Sequence, residues 1–241
     1  MSAELLDRRV LGGVRFVDGV TGLPVSRMLV VSAPNVRWIR NRSGDYVVAR
    51  APGLDAHTTA FTAPPGAPPL SSVAVTITVT DPLGEYLPRR ASVTLPRDPD
   101  PAHANQAGSL FRPVGVPLYP APVARTAPGW ALLRVTVRGN TPESRLPGAL
   151  LKVVQDGTGR VLARGLADAR GEALVAVPGI PVTTFSAGPG PVLATQVAAR
   201  VQVFAPAGGP EPSDPDQLET QPVLKSAPVQ LTSGRSLQLS L

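Results

Sequence analysis

Val73-Ala74-Val75-Thr76-Ile77-Thr78-Val79-Thr80 decides the fold class. Val73, Val75, Ile77 and Val79 alternate with Ala74 and three threonines. Successive side chains of a strand point to opposite faces, so this period of two makes one apolar and one polar face. A helix would scatter the same apolar residues around its axis. β-Branched side chains also suit the pleated surface of a sheet. The run is expected to lie inside a sheet, and Asp81-Pro82-Leu83-Gly84 ends it with Pro at the second turn position.

The same grammar extends in both directions. Upstream, strands are expected at Val10–Val17, Met28–Val31, Val36–Arg40 and Tyr46–Ala49, and Phe61 falls in a short extended piece. The turns Asp18–Gly22 and Asn41–Asp45 separate them, and Ala63–Pro69 reads as a polyproline-like connector. Downstream, Ala91–Leu95 alternates again, Arg97–Gly108 is a polar loop, and Val114–Tyr119 carries a Pro. A second series begins after Ala127-Pro128-Gly129. It comprises Ala131–Arg138, Leu146–Val154, Val161–Gly165, Glu172–Val177, Ala194–Phe204, Val223–Lys225, Val229–Leu231 and Leu237–Leu241. Asp156-Gly157-Thr158-Gly159 is a hairpin signal, and Gly208–Asp216 is an acidic, Pro-rich loop. Short strands at this spacing predict two β-sandwich domains, 1–127 and 128–241, with long Pro-rich loops.

Composition agrees. The 241 residues include 29 Pro and 23 Gly, and Pro is hostile to helix interiors because it lacks an N–H and clashes with the preceding turn. There is no Gly-x-y period, which excludes collagen, and 43% apolar residues suffice for a packed core. No apolar run reaches the roughly 18 residues of a membrane helix. The start, Met1-Ser2-Ala3-Glu4-Leu5-Leu6-Asp7-Arg8-Arg9, does not read as a secretory signal. The chain has no Cys, which removes disulfides and thiolate metal sites. A cytoplasmic location is expected, or an extracellular one if a leader is missing.

The net charge of +6 is spread over both halves, and only Lys152 and Lys225 are lysines. Arg37, Arg40, Arg42 and Arg50, with Trp38 beside them, form the densest basic cluster. A nucleic-acid surface needs a basic stripe with aromatics to stack on, and ten aromatic residues in all count against one. An outward arginine face on a strand explains the same residues. Arg89-Arg90 reads as a basic pair in a connector, suited to an acidic partner patch or simply an exposed turn. Trp38 and Trp130 are candidate anchors. Asp98-x-Asp100-x-x-His103 is the one acid–histidine cluster. Its donors suit a divalent ion, and a solvated loop explains it equally. Asp214, Asp216 and Glu219 form a second acidic loop. His57 falls at a strand edge or loop. No Gly-x-Ser-x-Gly elbow or phosphate-binding Gly loop occurs, so neither catalytic residues nor a cofactor is expected.

The two series of strands repeat one another. The first runs Val14-x-Phe16-x-Asp18, Thr21-Gly22-Leu23-Pro24-Val25, an apolar strand, Ser43-Gly44-Asp45-Tyr46-Val47-Val48, then Ala51-Pro52-Gly53. The second runs Val135-x-Val137, Leu146-Pro147-Gly148-Ala149, an apolar strand, Ala169-Arg170-Gly171-Glu172-Ala173-Leu174-Val175, then Val177-Pro178-Gly179. This pattern resembles the transthyretin-like, carboxypeptidase regulatory-like superfamily of seven-stranded, Ig-like sandwiches, over residues 10–55 and 130–180. In the second copy, Pro147-Gly148 stands where the first has Thr-Gly before its Pro.

The resemblance implies fold and leaves function to be argued. The expected role is a non-enzymatic structural or adaptor subunit of a larger protein assembly of the phage-tail-like or contractile-injection kind. Sandwiches joined by Pro-rich linkers are stiff spacers, and the expected partners are other subunits, with no membrane and no small-molecule substrate. A surface adhesin or carbohydrate-binding module is the alternative, and a metal-dependent enzyme at Asp98–His103 the remote one. Candidate partner-binding residues are Arg37, Trp38, Arg40, Arg89 and Arg90, with Leu237, Leu239 and Leu241 on a terminal strand expected at a sheet edge.

Overall fold

The computed structural model describes residues 9–59, 65–139, 141, 143–184, 193–194, 196–206 and 212–241. The expectations for residues 1–8, for Phe61 and for parts of the Ala63–Pro69 and Gly208–Asp216 segments lie outside the described residues. The chain is mainly β, in several sheets. None of its described helices is long and apolar enough to cross a membrane. It divides into two compact units. One comprises residues through Val17, Leu23–Pro82 and Arg90–Pro117, and the other Asp18–Gly22, Leu83–Arg89 and Leu118–Leu241.

The first unit is built from β1 (Gly12–Asp18), β2 (Val30–Ser32), β3 (Arg37–Arg40), β4 (Tyr46–Arg50), a short helix α1 (Asp55–Thr59), β5 (Val73–Thr80), β6 (Arg89–Leu95) and β7 (Val114–Leu118). Its sheets run β3-β4-β1-β7 and β2-β5-β6, so β5 is the central strand that its alternation requires. Ile77 and Val79 are buried and the threonines face outward or sit at the margin. Val14, Phe16, Tyr46 and Val48 from one sheet and Ile77, Val79, Val93 and Leu95 from the other supply buried apolar surface. Tyr46 ties the two sheets. Its ring meets Phe16 edge-on, with centroids 5.5 Å apart. Its hydroxyl accepts from the Leu29 N–H at 2.7 Å and donates to the Leu29 carbonyl at 2.9 Å. A buried tyrosine needs such partners for its polar end.

The second unit contains β8 (Ala131–Thr136), β9 (Leu150–Gln155), β10 (Val161–Leu166), β11 (Glu172–Val177), the two-residue strands β12 (Thr183–Thr184) and β13 (Leu193–Ala194), β14 (Gln196–Phe204), a short helix α2 (Pro215–Leu218), β15 (Lys225–Thr232) and β16 (Ser236–Ser240). The sheets are β10-β9-β14-β15 and β11-β8-β16, with β12-β13 apart. One apolar core joins the two larger sheets. Leu133, Val135, Val175 and Val177 come from one, and Leu151, Val153, Ala199, Val201, Val203 and Leu231 from the other.

The sequence repeat has a structural counterpart. Val14 pairs with Tyr46 across β1 and β4, and Val135 with Ala173 across β8 and β11, which are the positions the repeat superposes. Gly44 and Gly171 precede the two partner strands with φ of +86° and +72°. Only a residue without Cβ adopts that region cheaply, so each repeat keeps a glycine there. Differences from the sequence reading are local. His57 lies in α1 rather than at a strand edge, and α2 replaces part of the acidic loop. β6 starts two residues earlier than expected, and β15 is one strand rather than two.

Candidate interaction surfaces

β3 is the outermost strand of its sheet among the described strands. It carries Arg37, Trp38 and Arg40, and the structure gives the three different roles. Arg40 is exposed and folds along its own unit, donating from Nη2 to the Ser26 carbonyl at 2.6 Å and lying 6.0 Å from the Tyr46 ring centroid. Trp38 is half-buried, and its indole N–H has no hydrogen-bond partner among the described residues. Arg37 is exposed. It lines a cleft of about 760 Å³ with Arg9, Arg50, Asn35 and Ile39. Arg37 and Arg50 are cross-strand partners, and the ladder shifts register between Arg37 and Trp38. Like charges directly opposite destabilise a pair, and Asp55 Oδ1, 3.1 Å from Arg50 Nε, offsets one of them. The lining thus combines arginines with the apolar side chains of Val10, Val36, Ile39 and Ala49. Sequence spacing did not find Arg9, which lies 28 positions before Arg37 and reaches the cleft through the β1–β4 pairing.

Arg89 requires a correction. It is not an exposed connector residue, because its side chain is 0% exposed. Its guanidinium donates to Asp216 Oδ2, lies 3.7 Å from Asp214 Oδ1 and stacks 5.8 Å from the Tyr119 ring centroid. A second cluster lies alongside. Arg164 grips Glu219 with two bonds, Nε to Oε2 at 2.9 Å and Nη2 to Oε1 at 2.8 Å. Lys152 Nζ donates to Glu219 Oε1 at 3.2 Å and sits 5.0 Å from the Phe204 ring centroid. The hydrogen bond from Arg164, opposed by burial, holds the Glu219 carboxyl below its usual range, and the same bond raises the Arg164 pKa. Burial pushes the Tyr119 hydroxyl up. Beneath lie Tyr119, Leu150, Leu166, Phe204 and Leu218. Asp214, Asp216 and Glu219 therefore engage basic side chains of the second unit, with Asp214 and Glu219 largely covered and Asp216 exposed, and Asp214 also caps α2. One available signal pointed here. Extending the alternation of Ala91, Val93 and Leu95 back by two places Arg89 on the inward face. Arg90 lies within β6 and is half-buried, so it is not a connector residue either.

The acid–histidine cluster is a self-contained loop. His103 Nδ1 lies 2.6 Å from Asp98 Oδ2 and 3.9 Å from Asp100 Oδ2. Asp98 Oδ1 accepts from the Asp100 N–H, and Asp100 Oδ1 from the Ala102 N–H, starting a single 3-10 turn at Pro101–His103. The Asp98 bond raises the His103 pKa, and the Asp100 backbone N–H lowers that of Asp98. Among the described residues, no group of three His, Cys, Asp or Glu side chains converges as metal ligands do. His57 is buried, with Nε2 2.9 Å from the Pro68 carbonyl, so it closes a loop.

Leu237 and Leu239 lie on β16 and Leu241 directly follows it. The three leucines are half-buried and pack against the core of their own unit. β16 does lie at a sheet margin, and it runs parallel to β8.

No family model and no curated protein matches this chain. Among solved structures, it is similar to the Bacillus anthracis TIE protein at 10% identity and a TM-score of 0.29. That alignment covers 96% of this chain and 33% of the other, so the chain spans about a third of that structure's length.

The surface has a simple electrostatic logic. Several buried or half-buried arginines meet carboxylates of their own unit, as Arg89 and Arg164 do, and Arg15 meets Asp45 at 2.7 Å. Arg37 points instead into the cleft on the β3 margin.

Proposed function

We propose that this chain is a non-enzymatic structural or adaptor subunit of a larger protein assembly, and that its units are tandem transthyretin-like, Ig-like β-sandwiches. The repeated strand order and the shared core of the second unit support the sandwich reading. The cleft on the β3 margin carries the functional reading. It joins Arg9, Arg37 and Arg50 to apolar lining residues at an outermost strand. Such a surface recognises an acidic segment of another protein, with charge setting approach and register and apolar contact supplying hold. Particles of the phage-tail-like or contractile-injection kind, assembled in the cytoplasm, fit a stiff all-β spacer of this sort.

Gentle lysis of the source cells, size fractionation and peptide mass spectrometry test it. The expected result is co-migration with tube- or sheath-like proteins, lost on Arg37→Glu. Migration at the 25.0 kDa of the free chain overturns the proposal.

A further inference from the structure

Exposed sheet margins invite pairing with another chain, and proteins blunt them with charge, Pro, Gly or brevity. Five of the six described outermost strands of at least five residues are managed in this way or covered. β6 begins with Arg89-Arg90, β7 contains Gly115 and Pro117, β10 contains Arg164 and Gly165, β15 contains Lys225 and Pro228, and β11 is buried along its length. β16 is the exception. Its five residues, Ser236-Leu237-Gln238-Leu239-Ser240, contain no charge, Pro or Gly, and every second one is exposed.

The backbone of β16 is half used. The Leu241 N–H donates to the Thr136 carbonyl at 3.0 Å, and the Leu241 and Arg235 carbonyls accept from Arg138 and Leu132. Consecutive residues of a strand direct their hydrogen-bonding groups to opposite margins. The odd-numbered residues therefore bond β8. Ser236, Gln238 and Ser240 direct their N–H and C=O groups to the open margin.

The sequence of β16 also reads the same in both directions. We infer that β16 is a homotypic pairing strand, joining a second copy of this chain antiparallel about a two-fold axis at Gln238. That symmetry sets Gln238 opposite Gln238, Ser236 opposite Ser240 and Leu237 opposite Leu239. Parity agrees, because the residues that face each other as hydrogen-bonded pairs are the three whose groups are directed outward. The leucines fall in the non-hydrogen-bonded positions, where side chains approach most closely. They lie on the core side, so pairing continues the half-buried row of Leu237 and Leu239 into its mirror copy. A closed two-fold contact also consumes the margin and stops further growth. A five-residue ladder is a small interface, so the expected dimer is reversible, with a dissociation constant roughly in the micromolar range. The inference does not rest on the assembly reading, since purified chain alone tests it.

Sedimentation of the full chain over rising concentration should show a species at twice the 25.0 kDa chain mass. Gln238→Pro removes one outward N–H and leaves the bonds to β8, so it should weaken the dimer by at least about tenfold without lowering the melting temperature. The chain has no Cys, which permits a register test. Hydrogen-bonded strand partners lie about 5.5 Å apart, within disulfide reach. Gln238→Cys should oxidise to a covalent dimer, and Ser236→Cys alone should not. A chain that stays monomeric at all concentrations overturns the inference. So does a dimer that survives Gln238→Pro and fails to cross-link through Gln238→Cys.

Discussion

The third strand of each repeat leaves its predecessor by a short turn, yet the two strands join different sheets. In the first unit β3 pairs with β4, and in the second β10 pairs with β9. The remaining strand orders correspond, with β4-β1-β7 and β2-β5-β6 in the first unit matching β11-β8-β16 and β9-β14-β15 in the second. The turn and the length of the preceding strand account for the switch. β9 spans six residues, and Gly157 and Gly159, with φ of +78° and +68°, fold the chain straight back on it as a hairpin. β2 spans three residues, and Pro34-Asn35 follows it, with Asn35 at φ +57°. Pro denies an N–H to any ladder there, so the strand finds its partner across the next turn, in β4. Even so, β10 ends against β11, where Gly165 lies so close that an added Cβ would sit 2.7 Å from Val175 Cγ2. Local turn chemistry selects the sheet, and close packing decides how far the strand follows it.

Gly165→Val should break the second unit most severely. The new side chain has to displace Val175 and the Leu174 carbonyl, at about 3 kcal/mol or more. Hydrogen exchange resolved by unit should show lost protection in β8–β11 and none in β1–β5. Arg89→Met compares the ionic clamp of the second unit with the tyrosine tether of the first. Leaving Asp214 without its buried partner should cost about 3 kcal/mol, read as a lower urea midpoint at unchanged slope. In the first unit, Tyr46→Phe strands the buried Leu29 N–H and carbonyl and should cost about 1–3 kcal/mol, with lost protection confined to β1–β5. Gly157→Ala tests the turn argument itself. It should cost about 1 kcal/mol and accelerate exchange at Gln155, whose N–H donates to the Arg160 carbonyl.

The smallest effect is that of pH on the Asp98–His103 loop. Folding raises the His103 pKa, so its contribution is complete below the ordinary imidazole pKa and is lost as pH rises through the raised value. Folding lowers the Asp98 pKa, so that contribution is present above the ordinary carboxyl pKa and is lost as pH falls through the lowered value. Titration of His103 by NMR should give a value above that of a model peptide, and His103→Ala should flatten the basic limb of stability against pH. An unshifted His103 would remove the loop's ion pair.

What the sequence by itself determined is whatever rests on neighbours along the chain. Strand alternation identified β5 and β6, and the Gly-bearing turns found the ends of β4, β9 and β11. Those signals are local because pleat and φ preference are local. The tertiary structure decided everything that pairs distant residues. Arg89 meets Asp216 across 127 positions, Arg9 meets Arg37 at one cleft, and the leucines of β16 turn to a core contributed by strands far upstream. No window of sequence contains both members of such a pair. An arginine with a carboxylate waiting on the inner side of a fold looks the same, as a letter, as one facing water. Burial separates them, and burial exists only once the sheets have closed.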